Sequence, residues 1–274
     1  MLTKWLSYHI YTDLDRNTVL TEHVAYLINH LEANNLLRQY FYIRYNEGGP
    51  HIRLRLKVEK SNQPKVSFEL KNCFNSDDFN VQEQIYQQET SRYGGQISAL
   101  VCEEHFQLSS ETCLYALTLP SNVLSKALIL HYTMMRSYIC EHKALIKLFH
   151  SYMTHWFAHS HLAEANKTTN ELINTYFEPR YQSMKNISFF QNLEKMVLGT
   201  KPHATDWLSK WVRGNKHTLN HLNGCLDDKS FFSVLESLIH MTNNRLGVYN
   251  YDEAFLAFLL KRTIEDLSHH EQSS

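Results

Sequence analysis

Four basic side chains alternate along His51-Ile52-Arg53-Leu54-Arg55-Leu56-Lys57. Successive side chains of a strand point to opposite faces, so Ile52, Leu54, Leu56 and Val58 line one face and His51, Arg53, Arg55 and Lys57 the other. The planar arginine fork grips a carboxylate through two parallel hydrogen bonds, which suits such a row to holding an anion. The same row also fits a solvated sheet face neutralised by acids on neighbouring strands, and spacing leaves both open. The preceding run Phe41-Tyr42-Ile43-Arg44-Tyr45 adds another arginine. If the apolar side chains of both strands share one face, Ile43 falls opposite Leu54 and Phe41 opposite Leu56. Arg44 then faces Arg53, and Tyr42 faces Arg55. Facing like charges cost from a few tenths to about 1 kcal/mol, which an anion seated between them would offset.

Two further segments carry chemistry. Glu89-Thr90-Ser91-Arg92-Tyr93-Gly94-Gly95 ends in a glycine pair that permits tight backbone geometry and close approach to a ligand. It would hold Arg92 at a sheet edge beside Glu89, or form a turn with a surface ion pair. It lacks the lysine and hydroxyl of a nucleotide-phosphate loop. In His240-Met241-Thr242-Asn243-Asn244-Arg245, the apolar stripe Phe231, Val234, Leu235, Leu238 marks a helix. His240 and Asn244 lie one turn apart, off the centre of that stripe. His240 is either a surface residue or a proton carrier, since free imidazole titrates near neutrality.

The elements that position these residues follow from periodicity. Trp5 to Tyr11 reads as a strand, and residues 17–33 as a helix through Leu20, Val24, Leu27, Ile28 and Leu31. Strands over 40–45 and 51–58 are joined by Asn46-Glu47-Gly48-Gly49-Pro50, a loop of hairpin length. A short helix over 66–74 and a strand over 81–87 complete the order β-α-β-β-α-β, that of a ferredoxin-like unit. Beyond Gly95 the pattern is helical: 97–106, 121–157, 168–176, 189–197, 230–246 and 252–267, interrupted around 201–214. The expected fold class is α+β, a small sheet layer over residues 1–95 followed by a helical portion over 96–274 packed on it as one domain.

Bulk properties narrow the class. A formal charge of -1 over 274 residues gives no general pull towards nucleic acid or anionic membrane, so any anion must be met by a local cluster. Cys73, Cys102, Cys113, Cys140 and Cys225 are odd in number and widely spread. That pattern fits reduced cytosolic thiols better than disulfides or a zinc site. His155, His159 and His161 could share a helix face but have no carboxylate or cysteine at ligand spacing, so no metal is expected. No signal segment or membrane-length apolar run is read, and the expected location is the cytoplasm.

Together the runs FYIRYNEGGPHIRLRL, ETSRYGG and HMTNNRL resemble the C-terminal, elimination domain of lantibiotic dehydratases and their thiopeptide relatives, from Trp5 to the last helices. In that family a partner domain uses glutamyl-tRNA to esterify serine or threonine of a ribosomally made precursor peptide. The elimination domain then removes glutamate, leaving a dehydroamino acid. The resemblance implies elimination roles for Arg53, Arg55, Arg92 and His240, with His240 as base. It places Arg44, His51, Glu89, Asn244 and Arg245 in substrate-binding motifs. It implies no cofactor, a precursor peptide with leader and core as substrate, and a separate tRNA-dependent glutamylation protein as partner. Direct nucleic-acid or membrane contact is not implied, and a homodimer is possible. Pyridine synthases of thiopeptide pathways share the fold and join two dehydroalanines with release of the leader. A non-catalytic module that binds the leader peptide is a third expectation.

Overall fold

The computed structural model describes residues 2–139, 141–160, 168–184, 186–197 and 206–272. The chain opens with strand β1 (Thr3–Tyr11), a helical turn α1 (Arg16–Thr18), a π-helical segment Val19–Val24 and α2 (Ala25–Ala33). Next come β2 (Gln39–Tyr45), β3 (His51–Glu59), a 3-10 turn Lys60–Asn62, α3 (Gln63–Cys73) and β4 (Asn80–Gln84). Helices follow: α4 (Gln96–Thr118), α5 (Val123–Arg136), α6 (His142–Ala158) and α7 (Thr169–Met184). The last are α8 (Ile187–Val197), α9 (Asp206–Cys225), α10 (Asp228–Leu246) and α11 (Asn250–Gln272). The class is α+β. Two compact units form, Met1–Pro120 with His221–Gly247, and Ser121–Asn220 with Val248–Ser274.

In the first unit the strands lie in the order β2-β3-β1-β4, each antiparallel to its neighbour. This is the expected ferredoxin-like arrangement, with β3 inserted between β1 and β2. Local sequence sets the boundaries. The Asp15 carboxylate accepts from the backbone N–H groups of Asn17 and Thr18 and starts the first helix. Pro64 occupies the first turn of α3, where its missing N–H costs nothing. Gly247, left-handed at φ 85°, ends α10 by donating to the carbonyls of the preceding turn.

One face of the sheet is a dry core. Leu6, Tyr8 and Ile10 of β1 and Ile52, Leu54, Leu56 and Val58 of β3 are buried, as are Val24, Leu27 and Leu31 and, on α3, Val66 and Leu70. The Tyr8 hydroxyl lies 2.9 Å from the Ser67 hydroxyl of α3, which fixes that helix to this face. Each fully buried aliphatic side chain contributes roughly 1.5–3 kcal/mol, so this face anchors the strands that carry the cations on the other.

The hairpin register differs by one residue from the expectation. Tyr42 pairs with Leu54, Ile43 with Arg53, Phe41 with Arg55 and Arg44 with Ile52. Arg44 and Arg53 therefore lie on opposite faces, and no anion is needed between them. The reason is that β2 is covered on both sides. Tyr40 and Tyr42 are buried with the aliphatic core, while Phe41, on the cationic face, is buried among aromatic rings.

The second unit is helical. Helix α11 packs along α6, with Phe149, Phe157, Phe177, Phe255 and Phe258 fully buried or nearly so. The Tyr152 hydroxyl donates to the buried Glu253 carboxylate. The helix expected over 121–157 is two helices. Arg136 closes α5 by donating from Nη1 to the Ile139 carbonyl at 3.1 Å, and Ser137 Oγ donates to Met134 O. Helix α9 runs through 206–214, where a break was expected. Residues 201–205 of that stretch, Cys140 and His161 lie outside the described residues. Strand β4 stops at Gln84, three residues early. Cys73, Cys102, Cys113 and Cys225 are free thiols. No helix among the described residues is long and apolar enough to cross a membrane.

Candidate functional site

The cationic face of β3 opens into a cavity of about 250 Å³ within the first unit. Arg53 and Arg55 reach it from β3, His9 from β1, and Phe41 and Ile43 from β2. Glu89 and Tyr93 border it from the segment after β4, and Met241 and Arg245 from α10. Three guanidinium groups and one carboxylate thus share one space. Among the described residues none of the three arginines is ion-paired with an acid.

Arg55 is only 7% exposed, and its Nη1 is buried with no hydrogen-bond partner. Its ring neighbour is Tyr86, with Cζ 5.7 Å from the ring centre. Burial, and then the charge of Arg53, pull its pKa down to about 10, so it remains protonated at neutral pH. Arg53 lies flat on Tyr45, its Cζ 3.3 Å from the ring centre, and donates from Nε to His51 Nε2 at 3.1 Å. Arg245 is fully buried. Its Nε donates to Ser110 Oγ at 3.0 Å and its Nη1 to Met241 O at 2.9 Å, while Nη2 is buried without a partner. Burial lowers its pKa as well. Two buried, charged groups with vacant donors are costly to maintain, and an anion in the cavity would relieve that cost.

Aromatic and carboxylate contacts shape the wall. Phe41 meets Trp5, Tyr86 and Phe106 edge-on or tilted at 5.2, 5.8 and 5.2 Å. The Tyr86 hydroxyl and Gln88 Nε2 both donate to the buried Glu103 of α4, at 2.9 and 3.0 Å. That carboxylate pins the irregular strand exit against the helix.

Several expected residues hold the site without lining it. His51 lies on the cationic face, 1% exposed. Its Nδ1 donates to Gly49 O at 2.8 Å and its Nε2 accepts from Arg53, so both ring nitrogens are committed. Arg44 points to the other face. It donates from Nε to Arg245 O and from Nη2 to Asn17 Oδ1, placing a cation at the C-terminal end of α10. Asn244 bonds the Arg44 backbone at both ends of its amide. Arg92 pairs with Glu89 at 3.3 Å in an exposed turn, and its neighbour Tyr93 lines the cavity. Gly94 takes φ 77°, and a Cβ there would come within 2.5 Å of Leu226. His240 precedes the lining residue Met241 on α10 and is not itself among those lining the cavity.

His9 had no motif to announce it. It pairs across the ladder with Arg53 and stacks on His51 at 4.8 Å. Burial, followed by the charges of Arg53 and Arg55, depresses its pKa to about 4, so the imidazole is neutral near pH 7. Alternation along β1 puts Trp5, Ser7, His9 and Tyr11 on the cationic face, the one signal that could have found it. No metal-binding group of three or more ligands occurs among the described residues.

Comparisons with known proteins agree with this architecture. A tRNA-dependent lantibiotic dehydratase, MibB from Microbispora sp. 107891, superposes with a TM-score of 0.62 at 15% identity. The match covers 97% of this chain and 28% of that one, so the chain spans under a third of the dehydratase. The pyridine synthase TbtD of thiomuracin biosynthesis gives 0.74 at 10% identity, covering 96% of this chain and 98% of that one. TsrL gives 0.69 at 14% identity, covering 97% and 95%. No curated protein matches by sequence. The family model described as lantibiotic biosynthesis dehydratase C-term matches residues 5–264, and this chain belongs to that family.

Proposed function

We propose that the chain removes glutamate from glutamylated serine or threonine of a ribosomally made peptide. The observation that carries this is that Arg55 and Arg245 line a single cavity and each holds one buried guanidinium nitrogen without a hydrogen-bond partner. A glutamyl ester presents both a carboxylate and an ammonium. Arg53, Arg55 and Arg245 suit the first, and Glu89, steadied by Arg92, suits the second.

β-Elimination must take a weakly acidic α-proton, carry enolate-like charge on the peptide carbonyl and let a carboxylate leave. Fixed cations in a desolvated site lower both charge-developing steps, each donor typically by about 3–4 kcal/mol. An imidazole at the cavity supplies the base, and His240, which the family motif marks, stands one residue from its wall. Arg44, His51 and Asn244 orient this machinery through Arg245 and Arg53. No cofactor is required. The ester would be made by a glutamylation partner that uses glutamyl-tRNA.

A second reading, pyridine formation from two dehydroalanines, is favoured by one fact: the fold match covers 98% of the pyridine synthase and 96% of this chain. The two are separated by supplying the purified protein with a synthetic glutamylated peptide or with a dehydrated one. Elimination releases free glutamate from the first and leaves the second unchanged. A pyridine and free leader from the second, with the ester intact in the first, would overturn the elimination proposal.

A further inference from the structure

The cavity contains an imidazole that the family motifs do not mark. His9 lines it beside Arg53 and Arg55 and directly across the β1–β3 ladder from Arg53. No hydrogen bond of its ring occurs among the described residues, where its contacts are the rings of His51 and Tyr11. The other histidine of this face, His51, has spent both nitrogens on Gly49 and Arg53. His240 stands one residue outside the lining. A base must reach its proton directly or through one water. His9 is the histidine of the cavity wall that can offer a vacant lone pair.

The charges around it explain when it acts. Arg53, Arg55 and His51 of β3 face His9, Glu89 borders the same space, and Arg245 enters from α10. With the cavity empty, burial and the unopposed guanidinium charges make the ring a weak base. A carboxylate seated on the arginines offsets their charge and so removes the smaller, coulombic part of that depression, leaving the part due to burial.

Resting on the elimination reading, we propose that His9 is the imidazole that takes the α-proton of the residue held in the cavity. The Cα–H bond breaks and its electron pair becomes the Cα=Cβ bond. The Cβ–O bond breaks and its pair leaves with the glutamate carboxylate. The proton stays on His9 until it passes to water.

The test uses the full chain and a glutamylated peptide, with glutamate release followed over pH. The His9→Ala variant should lose about a hundredfold or more in rate, keep its affinity for the peptide, and recover activity when imidazole is added. His9→Gln, which keeps a polar side chain of similar reach, should match wild type in thermal unfolding and stay inactive. A His9→Ala protein with wild-type rate, or imidazole rescue of His240→Ala and not of His9→Ala, overturns the assignment while leaving the elimination reading intact. A wild-type protein that releases no glutamate overturns both.

Discussion

The side-chain amide of Asn244 grips the backbone of Arg44 as a neighbouring strand would. Its Nδ2 donates to Arg44 O and its Oδ1 accepts from Arg44 N, both at 2.9 Å. Strand β2 is the edge of the sheet, and an edge strand leaves a row of backbone groups unpaired. Two helices supply the missing partners, Asn244 from α10 and Ser110 of α4, whose Oγ accepts from Tyr42 N at 3.2 Å. Arg44 completes the bond in the other direction by donating to Arg245 O. The helix that brings Arg245 to the cavity is thus stitched to the strand that brings Phe41 and Ile43.

Replacing Asn244 by alanine leaves two backbone groups of Arg44 without partners. A loss of about 1–3 kcal/mol follows, read as a lowered midpoint in urea unfolding. Elimination should fall as well, because Arg245 loses its tether. An unchanged midpoint would show that water replaces the amide at no cost.

Arg245 makes the opposite case. A buried cation without a carboxylate partner is weak support for a fold, and an apolar side chain of similar length often replaces one without loss. Arg245→Met should therefore stay within about 1 kcal/mol of wild type in urea unfolding and lose tenfold or more in affinity for glutamate by calorimetry. Severe destabilisation with unaltered glutamate binding would make Arg245 a structural residue only.

Acid stability depends on two neutral imidazoles. His131, in the second unit, is buried between the edges of Phe149 and Tyr152, and neither ring nitrogen has a hydrogen-bond partner. Burial drives its pKa down to about 3, and that of His9 falls to about 4. In the unfolded chain both titrate near 6.5, so between that pH and the folded values the unfolded state binds more protons. Stability is greatest above pH 6.5 and is lost as pH falls towards 4. His131→Leu should flatten this decline in thermal unfolding scans from pH 7 to 4, and an identical slope would contradict the assignment.

Much of this was legible in the sequence, and the exceptions have physical causes. Strand β3 alternates cleanly because one of its faces is dry core and the other is cationic, so Arg53 and Arg55 could be placed together. Strand β2 could not be read this way. Its Phe41 and Ile43 are apolar yet face the cavity, while Arg44 faces the core and is satisfied by Arg245 O, 201 positions away. Alternation carries no register when both faces are covered. His9 was missed for a different reason: alternation along β1 puts it on the cationic face, but one histidine in an aromatic strand belongs to no motif. The depth of Arg245 depended on Ser109, Ser110 and Met241 meeting its guanidinium, a contact that only packing of α4 against α10 creates.

The most direct measurement is a mass-spectrometric time course of one glutamylated peptide with wild type and with Arg55→Ala. Loss of glutamic acid and appearance of the dehydrated residue with wild type, alongside an ester that persists with Arg55→Ala, is the expected outcome. Equal dehydration by both proteins would contradict the view that the vacant guanidinium nitrogens of this cavity receive the glutamyl carboxylate.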